Sequence, residues 1–131
     1  MNLANARIIV TGGSGFLGSR DDIPALMRAA DVIAHTSVLP EPFGRVVVEG
    51  MLAGRPVIAT RAGGVPEILT DGVSGVLVPP GDPSALAAAI DRMRTDGAFS
   101  QALAMRGRDV ARERFSLPAM CAGVAQVLAE L

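Results

Sequence analysis

The sequence predicts an α/β fold: a parallel sheet of about four strands with helices on both faces. Three observations carry that prediction. Short apolar runs alternate with segments of helical pattern, the order expected of strands joined by helical crossovers. The runs RIIVT, PVIAT and GVLV are apolar almost throughout, as strands covered on both faces are. Between the segments stand Gly, Pro and Asp, which start helices, stop them or make turns.

Each element has a local reason. RIIVT at 7–11 is a buried strand that runs into glycines. Asp22 can cap a helix over 23–30 with Pro24 in its first turn. DVIAHTS at 31–37 is a second strand, polar at its C-terminal end. LPEPFG at 39–44 is a loop, and 45–53 form a helix closed by Gly54. PVIAT at 56–60 is the third strand. RAGGVPEILTDG holds a glycine turn, a short helix over about 65–69 and a second turn. GVLV at 75–78 is the fourth strand. PPGD opens a helix that runs to about residue 95, with Asp82 as N-cap and Pro83 at the first helical position. Helices over about 98–115 and 118–131 follow, and Ser116 suits the cap between them.

Composition narrows the function. A chain of 131 residues is the size of one domain. Its net charge of −1 and the lack of a basic stripe argue against nucleic acid. No apolar run reaches the roughly 20 residues of a membrane span, so no integral membrane segment is expected. The N-terminus lacks the pattern of a signal peptide, and the single cysteine, Cys121, cannot form an internal disulfide. A cytoplasmic protein is the expectation. The chain has no Trp, Tyr or Lys. Mechanisms that need a tyrosine acid or a lysine in this chain are excluded.

Ligands of parallel α/β sheets sit beyond the C-terminal ends of the strands. The polar residues expected there are Thr11, the glycine turn after it, His35 to Ser37, the loop up to Gly44, and the turn from Arg61 to Gly64. The turn TGGSGFLG carries Gly12, Gly15 and Gly18 directly after a strand. It resembles the extended short-chain dehydrogenases and sugar-nucleotide epimerases, which implies a Rossmann-like phosphate loop for NAD(P) as an alternative reading. The context departs from that pattern. The loop runs into SRDD and Pro24 instead of a long helix. Asp31 has the spacing of a ribose-binding acid but starts its strand, at the wrong edge of the sheet. The family's catalytic Tyr and Lys are missing.

A second resemblance begins where the first ends. DDIPALMRAADV, PEPFGRVVVEGMLAGRPVIAT, AGGVPEIL, DGVSGVLVPPGD and RERFS occur in this order over about residues 16–115 and onward to the end. Together they resemble the C-terminal, donor-binding half of retaining GT-B glycosyltransferases of family 4 type, which include sucrose synthases and bacterial mannosyltransferases. The loop and helix suit a donor. Pro42 stiffens the loop, Gly44 lets backbone approach a ligand, and the N–H groups of Phe43, Gly44 and Arg45 lie at a helix N-terminus that favours a diphosphate. The resemblance implies a UDP- or GDP-type nucleotide sugar as donor substrate, with no required cofactor and no metal. It places Glu41 at the donor sugar as the catalytic candidate, and the Phe43–Gly44 backbone at sugar and phosphate. Glu49, the second acid of the E-x7-E pair, falls on the nucleotide ribose. Other roles stay open. Glu41 can simply favour the helix dipole. Glu49, set in the apolar stretch VVVEGML, either meets a ligand or pairs with an arginine, because an unpaired buried carboxylate is costly. His35 either touches the donor or is a hydrogen-bonded core residue. Gly63 and Gly64 form a turn that the family brings near the donor.

The resemblance also shows what to expect beyond this stretch. Family members have an acceptor-binding half, and an Arg and a Lys that clamp the diphosphate. Neither Arg7 nor Arg20 stands in that motif, and there is no Lys. The sequence therefore reads as a donor half, inactive alone, with a change of family at Gly18 that suggests a fusion. The segment MCAGVAQVLAEL keeps an apolar helix face, so a homodimer through the C-terminal helix is expected.

Overall fold

The structure, a computed structural model, describes residues 5–11, 22–40 and 42–131. Four strands, β1 (Ile8–Thr11), β2 (Val32–His35), β3 (Val57–Thr60) and β4 (Val76–Val78), form one sheet in the order β1-β2-β3-β4. All neighbours are parallel, with Ile9 opposite Ile33, Ile33 opposite Val57, and Ala59 opposite Leu77. The helices are α1 (Ile23–Ala29), α2 (Arg45–Leu52), α3 (Val65–Ile68), α4 (Pro83–Thr95), α5 (Gly97–Phe115) and α6 (Leu117–Ala129).

Consecutive strands lie side by side, so right-handed crossovers place their connecting helices on one face. Ile9, Ile33, Val57, Ala59 and Leu77 point to that face, where α1, α2, α3 and the end of α5 cover them. Ile8, Val32, Ile58, Val76 and Val78 point to the other face, under α4 and the start of α5. The expected layers are present, and they explain why these strands lack alternation: both faces are core. At roughly 25 cal/mol per Å² of apolar burial, each side chain as well covered as Ile33, Ile58 or Met93, all 0% exposed, contributes about 1.5–3 kcal/mol.

Local chemistry fixes the ends. Asp82 accepts a hydrogen bond from the Ala85 amide at 3.0 Å, and Ser116 accepts one from Ala119 at 3.3 Å, as the sequence predicts. Asp96 caps α5 through the Phe99 amide at 3.0 Å, a cap the sequence reading did not name. Asp22 corrects the expectation for α1. It occupies the N-cap position, but its side chain accepts no capping bond from the first turn; its φ of −99° and ψ of 14° do not give the extended backbone of a working cap.

Asp31 stands at the N-terminal edge of the sheet, where it secures the outer strand. Its Oδ2 accepts from the Arg7 amide at 2.8 Å, and the Asp31 amide donates to the Arg7 carbonyl at 2.8 Å. The Arg7 amide, helped by the Arg7 guanidinium at 3.5 Å, holds the Asp31 carboxyl below its ordinary value of 3.8. A depressed carboxylate pKa stabilises the fold above that ordinary value, and the gain is lost as pH falls through the native pKa. Asp31→Asn should therefore cost less than about 1 kcal/mol at neutral pH, since the Arg7 side chain is largely exposed. The gap between variant and wild type in urea unfolding should close at about pH 2. A gap of unchanged size there would show that the charge is not its source.

Candidate functional site

The C-terminal ends of the strands gather the polar residues that the sequence assigns to this edge. His35 ends β2 and is 2% exposed. Its Nδ1 lies 3.1 Å from Thr11 Oγ1, so the pair ties β1 to β2 inside the protein. Thr36 Oγ1 donates to the Thr11 carbonyl at 3.1 Å, and Thr60 Oγ1 donates to the Ser37 carbonyl at 2.6 Å. These hydroxyls stitch together the chain segments that leave β1, β2 and β3. His35 is thus buried and hydrogen-bonded within the sheet edge.

Two backbone segments meet above this edge. One is the Pro42–Gly44 loop, which enters α2. The other is the turn after β3, where Gly63 has φ of 58°, a left-handed conformation that glycine adopts without strain. Gly64 has an ordinary φ of −80° and serves a different purpose. A Cβ there would lie 2.4 Å from the Pro42 carbonyl oxygen, so only glycine lets the loops touch. Phe43 is 52% exposed but is held on one side by an edge-to-face contact with Phe115, ring centroids 5.8 Å apart. Phe115 belongs to the RERFS stretch at the end of α5, a supporting role the sequence did not assign.

The entry to α2 differs from the expectation in three respects. Gly44 has φ of −79° and ψ of 69°, and the Arg45 amide donates to the Phe43 carbonyl at 3.0 Å. This inverse γ-turn removes the Arg45 N–H from the groups available to a phosphate. The remaining first-turn amides still have no intrahelical acceptors, as at any helix start, and no side chain of the N-cap covers them. Gly44 is also explained by packing, since a Cβ there would press on Val65 Cγ2 at 3.1 Å. Finally, Glu49 is not deeply buried. Its side chain is 33% exposed, and Oε1 accepts from Arg45 Nε at 2.8 Å. The reason is helix geometry: one turn separates the two residues, and the neighbouring apolar side chains, Val47, Val48 and Met51, take the buried face. The far side of Glu49 borders a cavity of about 470 Å³ between α1, α2 and α5.

The sequence-assigned residues Phe43, Gly44, Arg45, Glu49, Gly63 and Gly64 thus come together around the α2 N-terminus, with His35 beneath them in the sheet edge. Glu41, and the loop glycines Gly12, Gly15 and Gly18, lie outside the described residues. Asp31, the candidate acid of the dinucleotide reading, is at the opposite sheet edge and engaged by Arg7. Among the described residues no group of three or more His, Cys, Asp or Glu is placed to hold a metal ion, and no helix is long and apolar enough to cross a membrane.

This arrangement agrees with known proteins. A family model, "Glycosyl transferases group 1", matches residues 3–96. The match includes β1 and the glycine loop likened above to epimerases. The lipopolysaccharide core biosynthesis glycosyltransferase LpsE of Rhizobium meliloti is 34% identical over 120 residues, 92% of this chain and 35% of that protein. HepE of Anabaena, solved in complex with UDP, superposes with a TM-score of 0.82 at 43% identity over 86% of this chain and 31% of HepE. Its complex with UDP-glucose gives 0.81 at the same identity and coverage. The chain spans about a third of the length of these relatives. Fold, motif order and sequence agree on one assignment: the chain belongs to the glycosyl transferase group 1 family of GT-B, family-4-like glycosyltransferases.

Proposed function

We propose that the chain is a single Rossmann-like domain that binds the nucleotide of a UDP- or GDP-sugar at the α2 N-terminus, as the donor half of a retaining glycosyltransferase. The observation that carries this reading is the contact between Gly64 and the Pro42 carbonyl. It fixes the Pro42–Gly44 backbone, which leads into α2, against the Gly63–Gly64 turn, and the first-turn amides and dipole of α2 suit a diphosphate. Glu49, just over one turn into the helix, accepts hydrogen bonds from the ribose diol. Arg45 then trades its ion pair with Glu49 for the phosphates. Glu41 takes the donor sugar as the catalytic candidate. The UDP and UDP-glucose complexes of HepE support the choice of ligand. The 131 residues on their own should bind a donor without transferring its sugar. The test is a calorimetric titration of UDP, GDP, their sugars and NAD into wild type and Glu49→Ala. Saturable nucleotide binding that weakens in the variant supports the reading; binding of NAD alone overturns it.

The second part of the proposal is a homodimer through α6, in the cytoplasm. No residue of α6 is buried. Leu117, Met120, Val124 and Val127 are all more than half exposed. They recur at steps of three, four and three, the spacing of a helix-pairing seam. Val124→Glu with Val127→Glu should turn a dimer into a monomer in light scattering at micromolar concentration. A wild type that is already monomeric there would remove the dimer.

A further inference from the structure

Most arginines of the described chain are committed. Arg7, Arg45, Arg61 and Arg94 form ion pairs. Arg92 and Arg114 lie over the Phe99 and Phe115 rings, at 3.6 and 5.0 Å. Among the described residues Arg55 has no ion pair, and its buried Nε has no hydrogen-bond partner. With Arg28, Arg106, Arg108 and Arg112 it makes five uncommitted arginines, and three of the five line the cavity between α1, α2 and α5. Among the described residues none of those three guanidiniums has a hydrogen bond or ion pair. Arg108 and Arg112 stand one turn apart on α5, an arrangement that repels on an isolated helix.

We propose that this cavity is a second binding site, for a phosphomonoester with a compact apolar body. Its volume of about 470 Å³ is that of a small-molecule site. The charge pattern selects the ligand. A phosphomonoester carries close to two negative charges near pH 7 and three acceptor oxygens, and guanidinium forks match those oxygens bidentately. The floor is apolar: Met27 from α1 and Leu52 from α2, the latter 40% exposed. Glu49 on α2 also lines the cavity. Its carboxylate repels a phosphate, so the phosphate lies toward Arg108 and Arg112 and the apolar body toward Leu52. Glu49 borders both this cavity and the proposed nucleotide site, so the UDP control below tells the two apart.

The test is an amide-detected NMR titration with phenyl phosphate, phenol and inorganic phosphate, in wild type and Arg108→Gln/Arg112→Gln. Both positions are exposed, so the variant should keep the wild-type circular dichroism spectrum. Phenyl phosphate should shift α1 and α5 amides saturably, and its Kd should rise at least about tenfold in the variant. Phenol and inorganic phosphate should each bind more weakly than phenyl phosphate, and added salt should weaken phenyl phosphate but not phenol. Equal phenyl phosphate affinity in both proteins, or no saturable shift in wild type, overturns the proposal. UDP is the control that separates the two sites. If UDP displaces phenyl phosphate, and the arginine variant weakens UDP equally, the arginines serve the nucleotide and the second site does not exist. Failure of UDP to bind leaves the phenyl phosphate result to be judged alone.

Discussion

Gly64→Ala is expected to destabilise the fold by about 1–3 kcal/mol and to weaken nucleotide binding as well. The cause is steric. The φ of Gly64 suits any residue, so alanine there carries no intrinsic backbone strain. Its Cβ, however, would lie 2.4 Å from the Pro42 carbonyl oxygen and 3.2 Å from the carbonyl carbon. Both are backbone atoms and cannot rotate away. The turn and the Pro42–Gly44 loop must separate, and the start of α2 moves with the loop. Gly72→Ala is the matched control. Gly72 has φ of 74° with nothing within 4 Å of an added Cβ, so it incurs backbone strain of about 1–2 kcal/mol without displacing the loop. Urea unfolding and UDP titration of both variants separate the effects: both should lose stability, and only Gly64→Ala should lose affinity. Retained UDP affinity in a destabilised Gly64→Ala would mean that the loop contact does not shape the site.

Glu49→Ala should reduce affinity for a nucleotide at least about tenfold and leave stability nearly unchanged. Hydrogen bonds from a ribose diol to a carboxylate are charge-assisted and worth about 1.5–3 kcal/mol each. The ion pair that Glu49 makes in the free protein is weak by contrast. It is a surface i,i+4 pair with Arg45 85% exposed, of the kind that contributes about 0.3–0.5 kcal/mol. Its orientation is also the poorer one, since arginine precedes glutamate and sits at the positive end of the helix. A carboxylate held this loosely is free to change partners. Gln at position 49 keeps an acceptor without the charge and should fall between the two. A Glu49→Ala variant that loses stability and keeps its affinity would make the residue structural.

The fold was legible because its signals are local. Short apolar runs marked all four strands, and Asp82 and Ser116 announced their helices. Asp22 misled because a capping residue type does not guarantee the extended backbone that capping needs. The site was legible in position but less so in detail. A sequence shows that Gly44 and Gly64 are glycines, but not that their missing Cβ atoms face Val65 and the Pro42 carbonyl. The burial of Glu49 was misjudged for a related reason. Apolar neighbours in sequence suggest enclosure, whereas the helix turns Val47, Val48 and Met51 inward and leaves Glu49 beside Arg45. Phe115 under Phe43, and the arginines of α1 and α5, lie far from the loop in sequence and meet it or its helix only through tertiary packing.

The most direct test of the donor-site assignment is a map of backbone amide shifts as UDP-glucose is added to the wild-type chain. The assignment predicts saturable shifts centred on Gly44, Val46, Val47 and Glu49, with Gly63 and Gly64 following, and smaller changes along α4. No shift with UDP-glucose or GDP-sugars, or shifts produced by NAD alone and centred on the end of β1, would contradict it.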